Sequence, residues 1–273
     1  MKNPWLHRFA ILLAVGALLL IVNGALLGPS TASVFPMHSG AAIALSMLTL
    51  GLVLWLMLSD WRPESRRLGW LTLAIAALES VAGLSSVQSA VPHLAGIAHA
   101  VMAPLFFAAL AGIAMVTSPA WSRGPEFVTD YGWPSIRSLG ILTPALVLLQ
   151  VLLGAAFRQK VLTLLPHVLG AMFVALVILL ESIFVLQQFP AHRALRAAAK
   201  TLLGVAFGQV FLGLTALIMK SMTDDTDLAA IVTVAAHITG GALTLAVTMI
   251  LSILIRRNVQ PRVEEDLEES PVS

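Results

Sequence analysis

Long apolar runs recur along this chain at a length that fits a lipid bilayer. Eight stretches, residues 9–27, 38–58, 68–87, 97–116, 139–157, 167–186, 202–219 and 231–255, carry almost no charge. Each approaches the ~20 residues that take a helix across ~30 Å of hydrocarbon. None alternates with period two over a sustained length, so helices are favoured over a barrel. Composition agrees: 11% of the residues are charged and the mean hydropathy is +0.92, against about 25% charged in a soluble domain. The expected fold is an all-α membrane protein of eight transmembrane helices.

The basic residues orient it. Lys2, Arg8, Arg62, Arg66, Arg67, Arg123, Arg137, Arg193, Arg196, Lys200, Arg256, Arg257 and Arg262 fall on one side of this plan, and only Arg158, Lys160 and Lys220 on the other. Such an excess marks the cytoplasmic face. Both termini are expected there, with the protein in the cell inner membrane. The net charge of +2 therefore says nothing in favour of nucleic acid, which is not an expected partner. The first run exceeds the 7–15 apolar residues of a signal peptide. It is read as an uncleaved helix despite the small residues at 30–33. There is no cysteine, which removes thiolate-ligated haem, zinc-thiolate sites and iron–sulfur clusters.

The longest polar interruption, SPAWSRGPEFVTDYGWPSIRS at 118–138, holds three prolines and two glycines and reads as a connection. It divides the chain into residues 1–118, a cytoplasmic linker 119–138, residues 139–257, and a tail 258–273 whose EEDLEESPVS reads as acidic and disordered. A faint repeat relates the halves as pseudo-symmetric four-helix bundles. The fifth span has QVLLG at 150–154, the seventh QVFLG at 209–213, and the third ESVAG at 79–83. The even spans share His-x-x-Gly at 167–170 and 237–240, with HSG at 38–40 as a near match, and Ala98-His99 parallels Ala236-His237. Both halves start on the same side, so the repeat is parallel.

His38, His99, His167 and His237 thus stand near the start of the four even spans, at similar depth. An ionisable residue in a membrane span is by default a functional candidate. Two facing neutral imidazoles can hold one haem iron from both faces. Chain proximity pairs His38 with His99 and His167 with His237, one iron position per half. A capping or interhelical hydrogen bond is the plain alternative for any one of them, and His93 rivals His99. His7 and His192 sit beside arginines and read as interfacial. Arg158, Lys160 and Lys220 are candidate partners for haem propionates, or simply loop charges. Glu79 and Glu181 lie within spans, where a carboxylate must be neutral or paired. Glu79 fills the slot that glutamine fills in the fifth and seventh spans. An interhelical bond is its first reading and a proton-handling catalytic role its second. Gly24, Gly28 and the glycines of the repeat suit close helix packing or room for a flat macrocycle.

With these residues on the page, the chain resembles the haem A synthase family, membrane enzymes that convert haem O to haem A for cytochrome oxidase assembly. The likeness spans the eight-helix plan and is clearest in LLQVLLGAAFRQ, LPHVLGAMFVALVILL, LLGVAFGQVFLGLTALIM and AAHITGGALTLAVTMIL. It implies that His167 and His237 hold a haem b cofactor, that His38 and His99 face the haem substrate, and that the haem O methyl group is oxidised to formyl by successive hydroxylations. It also implies membrane lipid, haem O synthase or terminal oxidase components, and a second copy of the chain as candidate partners. The chain departs from the family pattern at three places. Phe35 stands where a glutamate is usual, Ser39 and Val168 stand where arginine commonly follows the histidine, and the cysteine pair of many bacterial members is missing. These departures favour a second reading, a non-catalytic bis-histidine haem protein serving electron transfer or assembly. A third, a small-molecule transporter without haem, follows from the parallel repeat and the two membrane carboxylates.

Overall fold

The computed structural model describes residues 3–27, 35–224 and 227–261. Lys2, Gly28, the small residues 30–33, Arg262 and the acidic tail lie outside them. The described chain is almost wholly helical: α1 (Pro4–Leu26), α2 (Phe35–Ser59), α3 (Pro63–Gly83), a short α4 (Ser85–Ala90), α5 (Pro92–Val116), α6 (Ile136–Arg158), α7 (Leu164–Gln188), α8 (Arg193–Met222) and α9 (Leu228–Asn258). All of these except α3 and the short α4 are long and apolar enough to cross a membrane, seven helices in number. It is an all-α membrane protein. Helix α3 coincides with the third expected span, but Glu64, Arg66 and Arg67 in its first two turns and Glu79 further on dilute its apolar character.

The helices start where local chemistry satisfies their free N–H groups. The Asn3 side chain accepts from the amides of Trp5 and Leu6 at 3.1 and 3.2 Å, with Pro4 at the first helical position. Asp227 caps α9 through the Ala229 amide at 2.7 Å. Prolines 63 and 92 open α3 and α5, where a missing N–H costs nothing. Helices α2, α6, α7, α8 and α9 run past both ends of the apolar window expected from sequence, whereas α1 and α5 extend only at their starts. The third span falls short. Expected to continue to residue 87, it breaks at Leu84, whose backbone is extended (φ −61°, ψ 133°). The Gln88 amide donates to the Ala82 carbonyl at 2.7 Å, satisfying an acceptor that the interrupted ladder leaves open.

Neighbouring helices pack as two closed rings. Helices α1, α2, α3 and α5 contact one another in that order and close through α1 against α5. Helices α6, α7, α8 and α9 repeat the pattern and close through α6 against α9. Helices α5 and α9 meet between the rings, flanked by α1 on α9 and α5 on α6.

One end of the molecule gathers eleven of the described basic residues and is tied by polar contacts. The linker there is more ordered than its prolines and glycines imply. It forms a single 3-10 turn at Trp121–Arg123 and a short strand β1 (Val128–Thr129). That strand runs parallel to β2 (Val259–Gln260), directly after α9. Arg257 lies 3.6 Å over the Trp121 ring and donates to the Trp121 carbonyl at 2.6 Å. The Glu126 amide donates to the Asn258 side chain at 2.9 Å. His192, expected as an interfacial residue, is instead 3% exposed. Its Nδ1 accepts from the Leu195 amide, capping α8, and its Nε2 donates to the Glu126 carbonyl. Its chain position beside arginines gave no hint of this, because the acceptor lies 66 residues away.

Between α2 and α3, Arg62 holds Asp60 with a forked contact and donates to the Val116 carbonyl of α5 at 2.8 Å. Burial alone would raise the Asp60 carboxyl. The hydrogen bonds and the charge of Arg62 outweigh it and hold the group below its ordinary value of 3.8. A depressed carboxyl stabilises the fold in full above that value and loses its contribution as pH falls through the lower folded value. Thermal unfolding of the detergent-solubilised protein should therefore drop in midpoint below about pH 4. The drop should be smaller in Asp60→Asn, which starts lower at neutral pH.

Candidate functional site

The packed core belongs mainly to the arginine-rich half of the bundle. On α8 the buried residues are Leu195, Ala198, Ala199 and Leu202, and then none until Ala216. On α7 they begin only at Val174, ten residues into the helix. Large, fully buried side chains such as Leu56, Ile113, Leu195, Leu251 and Ile255 follow the same distribution. Packing is sparser towards the opposite end, and there the four histidines of the even spans lie.

All four rings are half-buried, and each is seated on a glycine of the preceding long helix. An added Cβ at Gly24 of α1 would stand 2.9 Å from Cε1 of His38, and one at Gly83 of α3 would stand 3.2 Å from Cε1 of His99. The corresponding distances are 2.9 Å from Gly154 of α6 to His167 and 2.8 Å from Gly213 of α8 to His237. Any side chain at these four positions would crowd an imidazole. The sequence repeat thus has a structural meaning: its glycine is the seat of a ring. His38 and His167 stand in the first turn of α2 and α7. His99 and His237 lie two turns or more into α5 and α9.

A polar side chain from the same preceding helix faces Nδ1 of His38, His99 and His167. Asn23 Oδ1 is 2.9 Å from Nδ1 of His38. Glu79 Oε1 is 2.9 Å from Nδ1 of His99, an ion-pair distance at an angle too bent for a full hydrogen bond. The Gln150 amide nitrogen is 2.9 Å from Nδ1 of His167 and donates to the His167 carbonyl at 2.7 Å. Gln209 of α8 lies against Gly240 and Gly241 beside His237. Glu79, Gln150 and Gln209 each stand four residues before the seating glycine, so one helix face presents both. The expected interhelical role of Glu79 is what it does. Asn23 was missed because it is adjacent to Gly24 rather than four residues before it, where Leu20 stands.

His167 and His237 meet directly. Their ring centroids are 6.2 Å apart with planes at 86°. A metal–nitrogen bond of about 2 Å, plus roughly 1 Å from nitrogen to ring centre, separates two imidazoles on opposite sides of one metal by about 6 Å. Nδ1 of His237 is buried without a hydrogen-bond partner, as are Oε1 of Gln150 and Oε1 of Gln209. An imidazole that ligates through Nε2 carries its proton on Nδ1 and needs an acceptor there. Gln150, whose Nε2 also donates to the His167 carbonyl, presents nitrogen to Nδ1 of His167, while Oε1 of Gln209 is a buried, unpartnered acceptor beside His237. The residues of the second half fit a bis-histidine metal group. Among the described residues no set of three or more His, Asp or Glu side chains converges on a metal position. A haem iron requires only two protein ligands, because the macrocycle supplies the others.

The remaining expected residues divide clearly. His93 is exposed in the first turn of α5 and touches none of this. His7 Nδ1 donates to the Ala114 carbonyl at 2.8 Å near the arginine-rich end. Arg158, Lys160 and Lys220 are exposed at the histidine end. Arg158 and Lys220 follow the seating glycines by four and seven residues, which keeps them on the same helix faces, one and two turns further out. Glu181 is fully buried on α7 with both oxygens unpartnered. It lies fourteen residues from His167, about 21 Å along the helix, and does not belong to this site. Compared with protein-family models and with curated proteins, the chain matches none.

Proposed function

We propose that this protein is a bis-histidine haem protein of the membrane, built as eight transmembrane helices in two pseudo-symmetric four-helix bundles, and that it acts as a haem A synthase-like oxidoreductase. The observation that carries the haem reading is the His167–His237 pair: 6.2 Å apart, ring planes crossed, each seated on a glycine and faced by a glutamine. The two closed rings of helices support the bundle symmetry. In each, the histidine-bearing helices stand diagonally across the ring, so paired histidines face each other through its centre. The eleven basic residues at one end support a cytoplasmic location for that end and for both termini, in the inner membrane.

In this reading haem b is held by His167 and His237, while His38 and His99 face the haem O substrate. Haem b, where bound, would relay the electrons released as the haem O methyl group is oxidised to formyl; an external electron acceptor would take them, and water or dioxygen would supply the oxygen atom. The chain's own residues do the rest. Gln150 and Gln209 fix which imidazole nitrogen faces inward. The seating glycines set the rings' height, and the apolar bundle excludes water. Arg158, Lys160 and Lys220 offer charge-assisted donors to propionates at the outer rim. A second reading, a haem carrier or assembly factor without catalysis, is favoured by Phe35 at the position where the family has a glutamate.

The test uses the full chain purified in detergent. A reduced-minus-oxidised spectrum of b type, with haem b on extraction, supports the haem reading. Conversion of haem O to haem A on co-expression with a haem O source supports catalysis. Haem without conversion selects the second reading, and a colourless protein that takes up no added haem leaves the transporter.

A further inference from the structure

The four histidines share one scaffold but not one chemistry at Nδ1. His38 faces an asparagine, and His167 and His237 are attended by glutamines. Only His99 meets a side chain that can carry a full charge, Glu79, at 2.9 Å. The position is the same on α3, α6 and α8, four residues before the seating glycine, so geometry is held constant while the group changes. The rest of the ring stays accessible: the His99 side chain is 37% exposed, although its Nδ1 is buried.

We propose that Glu79 is a positioning residue for His99 that makes the first-half histidine pair a lower-potential iron site than the second-half pair. The proposal rests on the haem reading above. A carboxylate has only acceptors, so at 2.9 Å its charge favours the His99 tautomer with the proton on Nδ1, with no turning over of an amide, and leaves Nε2 as the ligand. Its negative charge draws on the Nδ1 proton and makes Nε2 a stronger electron donor, and outer partners of this kind tune the metal. In a bundle interior of low effective dielectric that charge acts strongly. It favours the more highly charged, oxidised iron and so lowers the reduction potential. The glutamines exert no such pull. The proposal therefore gives the chain two sites built on the same residue plan and of unequal electron affinity, with electrons running downhill from the first half to the second.

The experiment is a spectroelectrochemical titration of the full-length protein loaded with added haem b, with His167→Ala used to identify the first-half wave. Two one-electron waves are expected, the lower one belonging to the first half. Glu79→Gln keeps a hydrogen-bonding side chain of the same size and removes the charge. It should raise the lower wave by about a tenfold change in the oxidised-to-reduced ratio, about 59 mV for a one-electron couple, and leave the upper wave in place. Gln150→Glu, the reciprocal change, should lower the upper wave by a similar amount. A purely structural role for Glu79 moves neither potential, and unmoved waves in both variants overturn the proposal. So does failure of the first half to take up haem while the second half binds it, an outcome that leaves the proposed function standing. A chain that binds no haem at either pair overturns both.

Discussion

On the proposed haem reading, replacing His167 or His237 with alanine is expected to abolish the bound chromophore. Partners one shell out from a ligating histidine typically contribute 10- to 100-fold in metal affinity, so losing the ligand itself should cost more than about a hundredfold. The remaining imidazole faces a gap where its opposite stood, and the low-spin spectrum of two axial nitrogens should give way to that of a five-coordinate iron or to none. The fold should survive. Both rings are half-buried and lie above the main apolar core, so truncating one removes little packed surface. Absorbance after purification and uptake of added haem measure the effect. Circular dichroism in detergent checks that the helices persist. Undiminished bis-histidine spectra in both variants would remove the assignment.

The second large effect comes from residues that have no side chain. Valine at Gly154 or Gly213 would bring Cβ to 2.9 or 2.8 Å from an imidazole carbon, inside the separation that side-chain carbons tolerate. The ring must give way, and a ligand held loosely no longer meets its metal at the required distance. The expected cost is again 10- to 100-fold in haem affinity. Gly208 provides the control on the same helix as Gly213, because nothing lies within 4 Å of its would-be Cβ. Gly208→Val should bind haem as the parent does. Each of these changes replaces a poor helix former with a better one, so a fall in haem binding without a fall in melting temperature separates the two effects. Equal binding by Gly213→Val and Gly208→Val would mean that the glycine seat has no bearing on haem.

Much of this was legible in the chain. The apolar runs located the helices because hydrocarbon thickness sets a length that sequence displays directly. The repeat of a polar residue four positions before a glycine was visible at 79, 150 and 209, and so was the slot shared by Glu79 with the two glutamines. What it does was not visible. That the glycine seats a ring and the polar group faces Nδ1 depends on how α3, α6 and α8 are rotated against the helices that follow, and rotation leaves no local mark in an apolar sequence. Asn23 escaped for a related reason: it performs the same task one residue from its glycine, outside the shared spacing. The break at Leu84 escaped because two serines and a glutamine do not forbid a helix. The bend is held by Gln88, whose amide reaches the Ala82 carbonyl. His192 gave no signal because a cap that also binds a distant carbonyl is settled by tertiary structure alone.

The parallel pairing of Val128 with Val259 and of Thr129 with Gln260 has a consequence for biogenesis. At a synthesis rate of about 5–20 residues per second, the first strand waits on the order of ten seconds for its mate to leave the ribosome. Until the ninth helix has been threaded into the bilayer, nothing can stitch the mid-chain crossing in place, so this small sheet works as the closing fastener of assembly. On the proposed orientation, a nascent chain halted before residue 259 should still insert its earlier helices, and its linker should remain open to protease from the side where the ribosome stands.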